Sequence, residues 1–279
     1  RGGDTSAVAG QLRSQVVALQ STLFGAFAAV KERGAVVTWG DPRNGGDARA
    51  VAGQLAEGVA SVESSTGAFV ALKEQGAVVA WGNAESGGDA GGVASQLAGD
   101  VLQVHTTGAA FAALKRGGAV VAWGLKIRGG DVGGMAEQLT SGVQAVSCNV
   151  GGFAALKEGG GVVAWPVAAG PSEQLRSGVV GLRSTSSSWA ALKESGAVVT
   201  FGIPSSGGDS QTVAAQLASG VVALHSTSGA FAALKAGGEV VTWGNAQSGG
   251  NSRAVAEQLA SGVSRLTGNF SAFAALKEE

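Results

Sequence analysis

Two histidines are the first residues in this chain that could move a proton. His105 and His225 each lie nine residues after a glutamine, Gln96 and Gln216. At the same spacing from other glutamines stand Glu63, Ser147, Arg183 and Thr267. An acid–base pair needs two such groups within reach of one substrate. Histidines set about 120 residues apart at equivalent positions are not expected to meet. One changing polar residue on a constant frame suits recognition better, and these six are candidate partner contacts. The other recurring groups are Lys31, Lys73, Lys115, Lys157, Lys193, Lys235 and Lys277, and Asp4, Asp47, Asp89, Asp131 and Asp209. Most of the lysines precede glutamate, so they make no strong basic ring, and solvated strand ends are expected. Each aspartate precedes a short helix-like pattern, where accepting backbone N–H bonds is its expected work. The single Cys148 reads as a small residue at a strand end. No nucleophile has a plausible base, no Cys/His spacing fits a metal and no phosphate loop is present. The expectation is a non-enzyme with no cofactor and no metal.

These residues recur because the chain does. Trp39, Trp81, Trp123, Trp165 and Trp243 mark a period of 42 residues, shortened to 36 after Trp165, where Phe201 holds the position. A Gln-Leu step and an Ala-Phe-Ala-Ala-Leu-Lys box recur alongside, giving seven repeats. A period of this length marks an array in which each repeat buries apolar faces against its neighbours. Within one repeat, Gly238–Gly244 reads as a strand, 251–262 as a short helix with Val255 and Leu259 on one face, and Val221–His225 and Ala230–Lys235 as two further strands. Each repeat is therefore expected to be a three-strand meander plus a short helix that covers the outer strand edge. The fold class is mainly β, a seven-bladed β-propeller with its last blade incomplete. Residues 1–279 are expected to form one repeat-built domain, part of a longer chain.

Gly is abundant, at 48 residues, and mostly periodic, so it marks turns. Net charge is −1 with no basic block, which argues against a nucleic-acid surface. No apolar run reaches the length of a membrane span. The fourth repeat loses Gly-Gly-Asp and its first helical turn around 166–171, so its edge is expected to be open to contacts. The loops after the aromatic marker vary, and Arg43, Glu85, Lys126 and Arg128 within them are further candidate contacts. They carry almost no aromatic residues, which makes a small-molecule or glycan ligand the weaker alternative. The chain begins with Arg1, in mid-repeat, which suggests a processed product or a portion of a longer chain. After Lys277 the repeat calls for a further strand. Asp4 and Lys277 are expected to lie together, with a notch where a strand from elsewhere could pair.

The Gly-x-Val-x-x-Trp-Gly pattern from Gly76 to Gly82, with Gly87 six residues after Trp81, resembles the repeat of the regulator of chromosome condensation family. That resemblance covers nearly the whole chain and implies a seven-bladed propeller. The family's Gly-Gln-Leu-Gly is Gly-Gly-Asp here, and its repeated His is replaced by Ala26, Ala68, Ala110, Gly152, Ser188, Ala230 and Ala272. Guanine nucleotide exchange is the alternative activity that the resemblance implies, with no family site residue that maps onto this chain. The reading preferred from the residues is a non-enzymatic interaction module or accessory subunit of a larger complex, organellar or membrane-associated, with protein partners.

Overall fold

A computed structural model describes residues 3–166 and 173–277. The chain divides into two compact units, residues 3–153 with 164–166 and residues 154–163 with 173–277. In the first unit, Val16–Ser21, Ala26–Lys31 and Val36–Gly40 pair in order as one antiparallel sheet. Val59–Ser64, Ala68–Lys73 and Val78–Gly82 make the second sheet, and Val101–Thr106, Ala110–Lys115 and Val120–Gly124 the third. Val143–Cys148, Phe153–Lys157 and Val162–Trp165 pair as the fourth sheet, of which residues 154–157 and 162–163 are counted with the second unit. In the second unit, Val179–Ser184, Ser188–Lys193 and Val198–Gly202 form the fifth sheet, and Val221–Ser226, Ala230–Lys235 and Val240–Gly244 the sixth. The seventh has two strands among the described residues, Val263–Gly268 and Phe273–Lys277.

The alternation of the Ala-Phe-Ala-Ala-Leu-Lys box explains how sheets stack within each unit. Successive side chains of a strand point to opposite faces. One face of the middle strand therefore carries small residues and the other an aromatic ring. Ala26, Ala28 and Val30 of the first sheet pack against Phe69, Ala71 and Trp81 of the second. Ala68 and Val70 repeat this against Phe111 and Trp123, and in the second unit Ala190 does so against Phe231 and Trp243. The small face lets the next sheet approach, and the aromatic face fills the space between.

Each aromatic marker stacks on the ring opposite it in the sheet. Phe69 and Trp81 are register partners with ring centroids 5.3 Å apart, and Phe111 with Trp123 and Phe231 with Trp243 repeat the pair. The Trp81 indole N–H then donates to the Gly45 carbonyl at 3.0 Å, and Trp123, Trp165 and Trp243 bond in the same way to Gly87, Gly129 and Gly207. These bonds tie each sheet to the loop that leaves the one before it. In the fifth sheet the pair is inverted, with Trp189 on the middle strand stacked on Phe201. The Trp189 indole N–H is buried without a hydrogen-bond partner among the described residues.

The segments expected to be short helices are mainly single 3-10 turns, such as Arg49–Val51, Gly91–Val93 and Arg253–Val255. Only Ala9–Leu12 is an α-helical turn among the described residues, and Gly133–Leu139 is a longer 3-10 stretch. These segments present too few apolar anchors to hold a longer helix. Leu55 is buried and Val51 half-buried, whereas their neighbours from 49 to 54 are mostly exposed. Most isolated helical segments gain stability from a buried face, and one leucine per turn supplies little. The turn segments still supply one bond to each of four outer strands. The Leu55, Leu97, Leu217 and Leu259 carbonyls accept bonds from the N–H groups of Val36, Val78, Val198 and Val240, the first residues of the outer strands.

The repeated aspartates begin these segments as expected. Asp47, Asp89, Asp131 and Asp209 each accept the backbone N–H two residues on, from Arg49, Gly91, Gly133 and Gln211. The lysines depart from the expectation of free, solvated ends. Lys73 Nζ donates to the Gln54 carbonyl at 2.6 Å, Lys235 to Gln216 at 2.8 Å, and Lys31, Lys115, Lys193 and Lys277 repeat the bond to the preceding Gln-Leu step. Each lysine is a strut between the middle strand and the end of the turn segment. Residues 167–172, which hold most of the shortened loop of the fourth repeat, lie outside the described residues.

Candidate functional site

The changing polar slot is the fifth position of the first strand in each sheet. Glu63, His105 and Ser147 hold it in the second to fourth sheets, and Arg183, His225 and Thr267 in the fifth to seventh. Consecutive first strands within a unit touch. Turn residues link them further, with Phe24 N–H bonded to the Thr66 carbonyl and Thr66 N–H to Gly108. In the second unit Ser186 bonds to Ser228, and Ser228 to Phe270. The slot residues therefore stand side by side as rows, one in each unit.

Charged slot residues act on groups near them. Burial pushes the Cys148 thiol up; a hydrogen bond with the Thr106 backbone opposes this, and the charge of Glu63 adds a smaller upward push. Burial also raises the Glu63 carboxyl. In the second unit, burial lowers His225 and the Arg183 guanidinium adds to the shift. Glu63, His105, Ser147 and His225 are half-buried, whereas Arg183 and Thr267 are exposed. The sequence pattern identifies the slot but not this spread, because burial depends on the neighbouring strand.

The loop candidates sit at the same end of the sheets. The Ser65 hydroxyl, just after the first strand, donates to the Ser86 carbonyl in the loop that carries Glu85, at 2.7 Å. Thr107 donates likewise to Arg128 at 3.1 Å, and Thr185 and Thr227 to Ser206 and Ser248. Buried hydroxyls thus pin four of the variable loops beside a slot residue. Arg43, Glu85 and Lys126 are exposed. Arg128 donates to the Val150 carbonyl at 2.9 Å, and Lys126 faces Asp131 at 3.3 Å. Arg43 lies in a turn whose first residue, Asp41, accepts the Arg43 backbone N–H. Elsewhere, the Asp47 carboxyl is held down to about 2 by its hydrogen bonds from Arg49. That pair belongs to a turn rather than to the slot.

His105 offers a direct test of the slot's burial. Burial holds it below the ordinary histidine value of 6.5, and its Nε2 is buried with no hydrogen-bond partner among the described residues. A base whose folded value is depressed costs stability as pH falls below the unfolded value, because the unfolded chain takes the proton first. As pH falls through the ordinary histidine value and toward the lowered folded one, the native chain should lose stability through this group. Thermal melts of His105→Gln should show a smaller loss as the pH falls. An identical pH dependence in both proteins would mean that His105 is solvated.

No family model and no curated protein matches this chain. Among solved structures, human WBSCR16 is 15% identical, with a TM-score of 0.48 over 96% of this chain and 83% of that one. Prp20p from Saccharomyces cerevisiae is 15% identical with a TM-score of 0.48 over 95% and 78%. Yeast RCC1 (Prp20) with Kap60 gives a structure 16% identical, with a TM-score of 0.47 over 83% and 70%. The chain resembles the regulator of chromosome condensation proteins in its repeat, and the yeast member is among the solved structures similar to it.

Proposed function

We propose that this chain is a protein-interaction module, its seven sheets the blades of one propeller spanning residues 1–279. The observation that carries this reading is the row of changing polar residues held beside pinned, variable loops on an otherwise repeated frame. Such a surface writes specificity without altering the fold. The partner contacts are Glu63, His105, Ser147, Arg183, His225 and Thr267 with Arg43, Glu85, Lys126 and Arg128. The partner is a protein, and the chain acts as an accessory or structural subunit of its complex rather than as an enzyme. Placement of that complex in an organelle or at a membrane belongs to the same proposal. Although Ser147 stands next to His105 in its row, His105 Nε2 has no hydrogen-bond partner among the described residues, which favours binding over catalysis.

The test is purification of the intact native complex alongside Arg183→Glu and Arg128→Glu forms with unchanged circular dichroism. The charge reversals should reduce partner recovery about tenfold or more. Undiminished recovery would remove these surfaces from the reading. Faster nucleotide release from a small GTPase, abolished by the same changes, would replace it with the exchange activity that the sequence resemblance implies.

A further inference from the structure

The slot row of the second unit carries a different charge from that of the first. In the first unit the row holds its own carboxylate, Glu63, with His105 and Ser147. In the second unit the same position holds Arg183, His225 and Thr267. Each of these can donate a hydrogen bond, and none is a carboxylate. Contacts from Val179–Ser184 to Val221–Ser226, and from there to Val263–Gly268, set the three side by side. Arg265 stands two residues before Thr267, on the same face of its strand. Both arginines are exposed, and His225 is half-buried between their strands. Burial, and then the Arg183 charge, favour the neutral form of His225.

The unit supplies no counter-charge at this place. Its three first strands, the turns 185–187, 227–229 and 269–272, and the loops 203–206 and 245–248 contain no aspartate or glutamate. Glu194 lies at the far end of its sheet, because Lys193 is opposite Val179 and the Glu194 N–H bonds to the Gly178 carbonyl. Glu239 faces Lys235, which is opposite Val221 and so also at the far end. Asp209 and Glu173 lie in the outer turn segments, engaged with Gln211 and Arg176. Donors gathered without a carboxylate are complementary to an anion, and a guanidinium fork suits a carboxylate in particular. A phosphate polymer asks for a longer run of cations than this chain offers, with its net charge of −1.

We propose that the row Arg183, His225 and Thr267 receives an acidic segment of the partner protein. One carboxylate of the segment takes a forked pair of bonds from Arg183. His225 and Thr267 donate to oxygens further along the segment, and Arg265 adds its charge beside them. This site rests on the interaction-module reading and names the partner chemistry for it.

The probe is a dye-labelled, end-blocked peptide, Gly-Glu-Glu-Glu-Glu-Gly, titrated into the intact chain at low salt by fluorescence anisotropy. Saturable binding is expected, and the glutamine counterpart of the peptide should not bind. Arg183→Gln should weaken binding about tenfold, whereas Arg33→Gln, in a turn of the first unit, should change it by less than about twofold. The chain has two histidines, so imidazole NMR reports the place. The His225 signals should move on binding and those of His105 should not. Absence of binding, equal affinity for the glutamine peptide, no loss in Arg183→Gln, or movement of His105 alone overturns the proposal. Tighter binding of a short single-stranded DNA than of the peptide would assign the row to a phosphate polymer and overturn it as well. Peptide failure with complex recovery still sensitive to Arg183→Glu would remove the acidic chemistry and leave the interaction-module reading. Peptide binding at His225 with recovery insensitive to both charge reversals would keep the carboxylate site and remove that reading's contact set.

Discussion

Trp81→Ala is expected to cost about 3–5 kcal/mol, the range for truncating a buried aromatic side chain. Trp81 is 4% exposed, stacks on Phe69 and joins the cluster that includes Ala26, Val30, Leu55 and Val62. Its removal leaves a cavity between the first two sheets and takes the indole donor from the Gly45 carbonyl. Trp81→Phe separates the two effects. A phenyl ring preserves much of the stack, as Phe201 does in the fifth sheet, but cannot donate. That variant should cost about 1–3 kcal/mol, the range for leaving a buried acceptor unpaired. Urea unfolding of the two proteins measures both values. Equal destabilisation would assign the whole effect to the hydrogen bond, and a neutral phenylalanine variant would assign it to packing.

Gly45→Ala is the second large effect, and it arises from backbone as well as space. Gly45 has φ 101°, and a Cβ there would lie 2.5 Å from Phe69 Cδ2. An L-residue resists that backbone angle by roughly 1–3 kcal/mol. The ring cannot retreat without disturbing its stack on Trp81, so overpacking adds about 1–3 kcal/mol more. A loss of about 3 kcal/mol or greater is expected, with the Trp81 environment changed in near-ultraviolet circular dichroism. Gly53→Ala is the companion measurement. Nothing lies within 4 Å of a Cβ built there, and the substitution should be neutral or stabilising by a few tenths of a kcal/mol. Equal effects at the two glycines would show that the loop after Trp39 can move away from Phe69.

Much of the architecture is legible in the chain because its causes are local. Strand alternation in the Ala-Phe-Ala-Ala-Leu-Lys box separates a small face from an aromatic face, and this holds wherever the box recurs. The aspartates accept N–H groups two residues on, a geometry fixed within a few bonds. The third-strand aromatic position, including its exchange to Phe201, also follows from spacing. The helix-like segments mislead for a physical reason. Asp47, Val51 and Leu55 have helical spacing, but a stable helix needs more buried surface than one or two residues supply, so the segment settles into a turn that lends one carbonyl to the strand edge.

The properties that bear on function depend on residues far apart in sequence. Lys73 looks like a free charge until the end of the turn segment places the Gln54 carbonyl beside its ammonium group. Glu63 and Cys148 are separated by 85 positions, and only sheet stacking brings a carboxylate near enough to influence the thiol. The spacing rule shows that the slot changes from repeat to repeat. Contacts between first strands make it a row, and hydroxyls such as Ser65 pin the loops beside it. Periodicity thus determines which residues are equivalent, because backbone geometry repeats with the sequence. Proximity between equivalent residues comes from the packing of one sheet on the next, which gives each copy of the same residue its own burial, partner and charge.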